Sequence, residues 1–238
     1  MEQVSINGVN GQLPAVRASL VLGLSVLLLA GCGGDGGEQR EDAPAPAPSA
    51  TTTTASGDLE LYEVESAGFA LGIPEAWNAA SVDDLRESGA LEEAAKENPN
   101  LAPFFEALRQ PNSVMKFIAG DPEPREGFAT NVNVIVEELP SGVGAEEYEQ
   151  ANLANIRRGL ALEGEIAEER VGLPAGDALR LEYRHGVGPT DEQVTLAVVQ
   201  YIVTGEGEGY VLTYTTVPEA LADYEPKFDE SAASFNLL

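Results

Sequence analysis

The stretch Gln193-Val194-Thr195-Leu196-Ala197-Val198-Val199-Gln200-Tyr201-Ile202-Val203-Thr204, then Gly205-Glu206-Gly207-Glu208-Gly209, then Tyr210-Val211-Leu212-Thr213-Tyr214-Thr215-Thr216-Val217 reads as two β-strands joined by a turn. Both flanks are rich in β-branched and aromatic residues, and the glycines between them permit a tight reversal. Upstream, Glu165 to Leu173 and Asp177 to His185 are two more strand candidates, separated by Pro174-Ala175-Gly176 and followed by Gly186-Val187-Gly188-Pro189. Four strands in succession joined by short turns predict antiparallel hairpins, because a parallel crossover needs a dozen or more connecting residues.

Outward from this series, Pro218-Glu219 opens a helix through Leu221, Tyr224, Phe228 and Ala232, whose spacing gives it one apolar face for a sheet. Ala145 to Leu160 is a second amphipathic helix, with Tyr148, Asn152 or Leu153, and Ile156 inward and acids at its N-terminal end. Val114 to Ala119 and Ala129 to Leu139 alternate as strands; in the latter, Val132, Val134 and Val136 share one face, and Asn131, Asn133 and Ile135 the other. That strand is expected to be half-buried and polar on one side. Leu59 to Val64 and Phe69 to Ile73 are short strands, and Trp77 follows the Pro74 turn as a packing anchor. Ser81 caps a helical stretch running to about Lys96, and a second helix carries Phe104, Phe105 and Leu108. The sum is an α+β domain, an antiparallel sheet with helices on its faces, over residues 58–238.

The sequence Phe69-Ala70-Leu71-Gly72-Ile73-Pro74 with Trp77, Asn131-Val132-Asn133-Val134, and the terminal Ser231-Ala232-Ala233-Ser234-Phe235 resemble the Mog/PsbP-like superfamily, and particularly the actinobacterial lipoproteins of the LpqN type. The resemblance implies an antiparallel sheet with packed helices and a binding or accessory role. It implies no shared catalytic set.

The N-terminal part has a different character. Arg17 precedes an apolar run, Ala18 to Ala30, too short for the roughly 20 residues that span a bilayer and suited to a signal-peptide core. It ends in Leu29-Ala30-Gly31-Cys32, which resembles the bacterial lipobox, in which the cysteine thiol receives diacylglycerol. Residues 1–31 are expected to be a cleaved signal peptide, with lipidated Cys32 holding the mature chain to the extracytoplasmic face of the cell membrane. Residues 32–57, rich in Gly, Ala-Pro repeats and Thr, are expected to be a disordered tether. Its 25 residues from Gly33 would span about 28 Å as a flexible coil and at most about 78 Å as extended polyproline II. Cys32 is the only cysteine, so the mature domain has no disulfide, zinc-thiolate site or cysteine nucleophile.

With 13 Lys+Arg against 40 Asp+Glu and a formal charge of -27, the chain repels nucleic acid and anionic headgroups. Membrane attachment is therefore expected through Cys32 alone. No nucleophile elbow, phosphate loop or histidine cluster occurs, and His185 is the single histidine. Glu137-Glu138 and Glu168-Glu169 are adjacent on strands and point to opposite faces. No cofactor and no catalytic residue are expected. The function predicted is a lipid-anchored envelope protein with a non-catalytic domain that binds another protein or a small ligand, through edge strands or a face bearing Asn131, Asn133 and Tyr201. Two alternatives are an envelope hydrolase whose carboxylates meet only in three dimensions and a divalent-cation binder.

Overall fold

The computed structural model describes residues 58–97, 102–188 and 193–238, together with the backbone pairing of Thr53–Thr54. The expected signal peptide, Cys32 and most of the expected tether lie outside the described residues. In chain order the elements are β1 (Thr53–Thr54), β2 (Leu59–Val64), a 3-10 turn, β3 (Phe69–Pro74), β4 (Asn78–Ser81), α1 (Val82–Glu87), α2 (Ala90–Glu97), α3 (Ala102–Arg109), β5 (Met115–Gly120) and β6 (Asn131–Glu138). Then follow α4 (Ala145–Gly159), β7 (Ala161–Leu162), β8 (Ala167–Leu173), β9 (Gly176–Val187), β10 (Val194–Gly205), β11 (Glu208–Thr216), a 3-10 turn, α5 (Leu221–Ala233) and β12 (Asn236–Leu237).

The hairpin series forms as the turn chemistry predicts. β8, β9, β10 and β11 pair antiparallel in succession. Gly205 sits opposite Glu208, so the reversal between β10 and β11 is a two-residue turn with Glu206 and Gly207 at φ 53 and 88. Positive φ at both central positions matches the right-handed twist of the strands. β11 continues onto β6, β6 onto β5 and β5 onto β4, while β7 lies beside β8 along the far edge of β9. The eight strands make one antiparallel sheet; β1, β2, β3 and β12 make a second, smaller one. Thr53–Thr54 pairs with Leu61 and Glu60, so strand pairing begins inside the stretch assigned from composition to the tether.

Three layers result. One face of the large sheet packs on the small sheet and α5 through Phe69, Leu71, Phe117, Val134, Leu212, Tyr214 and Phe228. The other face packs on α1 to α4 through Leu91, Phe105, Leu153, Ile156, Leu181 and Val211. Burial of each large side chain contributes about 1.5–3 kcal/mol, so these two cores carry the fold.

Several expectations need correction. β6 is buried on both faces along Asn131 to Val136, because the helical layer covers the side that carries the asparagines. The helix from Ser81 to Lys96 is two helices, broken at Ser88-Gly89 where Gly89 takes φ 76. Its cap is as expected: Ser81 Oγ accepts the Asp84 amide at 3.0 Å. The short strands β4, β7 and β12 carry no periodic signal of their own and exist because a neighbouring strand offers them partners.

The small sheet is tied to α5 by two serines. β12 pairs with β3 at Phe69 and Ala70 and then ends. Beyond it the Gly72 amide donates to Ser234 Oγ at 2.6 Å, and Ser231 Oγ donates to the Gly72 carbonyl at 2.5 Å. The Tyr214 hydroxyl donates to the same Ser231 Oγ at 3.0 Å, linking the large sheet to this junction. A Cβ on Gly72 would lie 2.8 Å from Ser234 Oγ and 3.1 Å from Leu59 Cδ1, so the approach requires glycine. Ser231→Ala leaves the Tyr214 hydroxyl and the Gly72 carbonyl without partners and is expected to cost about 1–3 kcal/mol, whereas Tyr214→Phe leaves Ser231 still bonded to Gly72 and is expected to cost about 0.5–1.5 kcal/mol. Urea unfolding of the two variants checks the order.

Candidate functional site

The residues expected to form a binding face do not come together. Asn133 pairs across the ladder with Thr213, and Thr213 with Gln200, a row on the helix-covered face of the sheet. Tyr201 pairs with Leu212 and Leu212 with Val134, on the opposite face against α5. Asn131, Asn133 and Tyr201 are 4%, 3% and 2% exposed, so none offers a surface. The physical reason is the period of two: Tyr201 is in register with the valines of β6, not with its asparagines. Gln200 Nε2 donates to Thr213 Oγ1 at 2.9 Å and Asn131 Nδ2 to the Ala129 carbonyl at 2.9 Å, while the buried Asn131 Oδ1 and Gln200 Oε1 have no hydrogen-bond partner among the described residues.

Tyr201 braces α5. Its hydroxyl donates to Asp229, and Arg180 reaches it through Nε at 3.4 Å while donating to Glu225 at 2.5 Å. Burial, then the Asp229 carboxylate, pushes the Tyr201 pKa up, so the hydroxyl stays a donor. His185 is 3% exposed beside the Tyr183 ring, and burial lowers its pKa from 6.5.

A concave site lies instead at one end of the large sheet, where β6 ends, β11 begins and α4 starts. Tyr148, one turn into α4, lays its ring over Gly209 of β11; a Cβ there would sit 2.4 Å from the ring. Its hydroxyl donates at 3.0 Å to Glu137, the residue of β6 paired with Gly209. Burial first, then the Glu137 charge, raises the Tyr148 pKa, which keeps the phenol protonated. The ring walls a half-open cleft of about 580 Å³, within the range of ligand pockets.

Val114, Val136, Leu139, Val143 and Ala151 supply the apolar part of the cleft, and Ser66 and Ala67 approach from the small-sheet side. Its charges are Glu137, Glu138, Glu147 and Glu208 against a single base, Lys116. Glu138 and Glu208 are direct cross-strand partners, a like-charge placement that destabilises a sheet. The Tyr210 hydroxyl donates to Glu208 at 2.7 Å, and burial and this carboxylate raise the Tyr210 pKa.

The ion pairs among the described residues lie elsewhere. Arg86 pairs with Asp83, Lys96 with Glu92, Arg109 with Glu106, Arg157 with Glu168, Arg170 with Glu149, and Arg180 with Glu182, Glu225 and Asp229. Among the described residues none of the four cleft carboxylates enters an ion pair. Glu168 meets α4 through Arg157 while Glu169 lies opposite Arg180 on the other face, as adjacent strand residues should. Glu137 and Glu138 also leave the strand on opposite sides, yet both line the cleft, because it wraps around the end of the sheet.

Sequence patterns pointed at these residues only piecemeal. Gly209 in a strand is a mark of close backbone approach, and Glu138 and Glu208 stand in acidic stretches; their meeting depends on the β6–β11 register. Among the described residues no group of three or more His, Cys, Asp or Glu is placed to hold a metal ion, and no helix is long and apolar enough to cross a membrane.

Gly209→Ala drives a methyl into the Tyr148 ring and is expected to destabilise the fold by about 1–3 kcal/mol, with a change in the near-ultraviolet circular dichroism of tyrosine. For His185 the folded protein favours the neutral imidazole. Stability from this group is therefore complete above pH 6.5, the ordinary value, and is lost as the pH falls below it. Urea midpoints measured between about pH 7 and 5 are expected to fall in the wild type and to lose that part of their slope in His185→Gln.

No protein-family model matches the chain, and no curated protein matches it in sequence. Solved structures do. The cyanobacterial PsbP of Synechocystis aligns at TM-score 0.50 and 17% identity over 79% of this chain and 98% of its own. LpqN of Mycobacterium tuberculosis, described as involved in cell envelope biogenesis, aligns at TM-score 0.46 and 9% identity over 79% and 89%. The Ran-binding protein Mog1p of Saccharomyces cerevisiae aligns at 0.45 and 9% over 76% and 96%. The likeness to the cyanobacterial protein shows that the chain has the PsbP-like α+β fold.

Proposed function

We propose that this protein is a lipid-anchored binding module of the cell envelope, held at the extracytoplasmic membrane face through Cys32 and acting through the cleft beside Tyr148 without catalysing a reaction. The observation that carries the binding role is the cleft itself: a concavity of about 580 Å³ with apolar walls and four carboxylates against the single base Lys116. The anchor rests on Leu29-Ala30-Gly31-Cys32 and the apolar run before it.

A hydrolytic role is the second reading, favoured by the adjacency of Glu138 and Glu208. A general acid near neutral pH needs a carboxyl kept protonated by an apolar environment. Glu138 is exposed to solvent and Glu208 already accepts the Tyr210 hydroxyl. That geometry suits charge recognition better than proton transfer.

The test is metabolic labelling of the full chain with an alkyne fatty acid, combined with a photo-crosslinking residue at Pro140, on the cleft rim, or at Glu219, away from it. Label is expected on the wild type and absent from Cys32→Ala, and a discrete crosslinked product is expected from position 140 alone. Label persisting in Cys32→Ala overturns the anchor, and equal products from both positions overturn the cleft.

A further inference from the structure

The cleft has a feature that separates it from the acidic surface at large. Glu138 and Glu208 sit directly opposite one another on β6 and β11, which places their Cβ atoms about 5 Å apart. Like charges in that position oppose strand pairing; six arginines and lysines pair with acids elsewhere, and Lys116, which lines the cleft, forms no ion pair with either carboxylate among the described residues. The repulsion is relieved when a cation lies between the two carboxylates. Glu138 is exposed, so that attraction is screened by salt and is strongest at low ionic strength.

The cleft sets Glu138 and Glu208 on the small-sheet side of the sheet end and Leu139 and Val143 on the α4 side. Successive side chains of an extended segment alternate in direction, so such a segment can offer a cation to one side and an apolar group to the other.

The geometry points to a basic, apolar-interleaved peptide segment of a partner protein as the ligand of this cleft, with a lysine or arginine held between Glu138 and Glu208 and an apolar side chain seated near Val143 and Leu139. This assignment rests on the binding role proposed for the cleft and names its ligand class. It also makes Glu138 and Glu208 specificity-determining residues whose charge costs stability in the free protein.

The test uses the full chain at low ionic strength and reads fluorescence anisotropy of a labelled hexapeptide of alternating Lys and Leu. Glu138→Gln/Glu208→Gln is expected to weaken binding by about tenfold or more and to raise the melting temperature, while Glu219→Gln/Asp223→Gln, the same charge change on exposed positions elsewhere, is expected to change affinity by less than about twofold. A Lys/Gly hexapeptide is expected to bind about tenfold more weakly than the Lys/Leu one. Absence of binding by the Lys/Leu peptide, equal loss in both double variants, or equal binding of the Lys/Gly peptide overturns the inference. Val143→Asp separates this from the broader proposal. Lys/Leu binding unchanged in Val143→Asp removes the cleft itself as the site, whereas no peptide binding together with a crosslink specific to position 140 removes only the ligand class.

Discussion

The two hydrogen bonds between Gly72 and the serines of α5 are the constraint on which the layered arrangement depends. Where β12 ends, β3 would expose its amide and carbonyl on one side, and both are taken up by Ser234 and Ser231, three residues apart on one helical face. That contact sets the rotation of α5, and with it the placement of Tyr224 and Phe228. These stack on one another, and Phe228 stacks on Tyr214 of the large sheet. Phe235 then meets Phe69 with ring centroids 5.5 Å apart. An amide and a carbonyl left unpaired in this interior would carry a desolvation penalty comparable to the net worth of several ordinary hydrogen bonds. The serines thus determine where the small sheet can sit.

The opposite layer is organised by a different close approach. Tyr148 reaches the sheet because β11 carries glycine at position 209, and its hydroxyl finds Glu137 on the neighbouring strand. The N-terminal turn of α4 therefore stands off the end of the sheet by the thickness of an aromatic ring, which opens the cleft. Its carboxylates come from β6, β11 and α4, and Lys116 is the one base lining it, with no ion pair to them among the described residues. Local repulsion is kept in a molecule that resolves it at Arg180, where three acids converge on one guanidinium.

Much of the architecture is legible in the chain. The alternation of β-branched and aromatic residues with glycine-bearing turns places β8 to β11 and their antiparallel order, and the spacing of Leu221, Tyr224 and Phe228 places α5. The stretches Phe69–Pro74 and Ser231–Phe235, far apart in the chain, touch one another: Gly72 with Ser231 and Ser234, Phe69 with Phe235. The asparagines of β6 misled for a definable reason. A polar face on a strand indicates solvent when nothing covers it, and here a helical layer does; their partners Thr215 and Thr213, with Gln200 beyond Thr213, are buried and periodicity cannot distinguish them from a surface. Tyr201 lies on the other side, because strand register aligns it with Leu212 and Val134.

The sequence by itself determined the local terms: the positions of the longer strands and of α4 and α5, the turn between β10 and β11, the acidity of the molecule and the lipobox-like end of the apolar run. Each depends on residues a few positions apart. The tertiary structure alone decided which acids share a cleft, which polar residues are buried and which glycines yield to a neighbouring side chain. Those outcomes depend on pairings between positions far apart in the chain, such as Glu138 with Glu208 and Gly72 with Ser234. A shift of one residue in register would turn each side chain to the opposite face, so no local pattern carries that information.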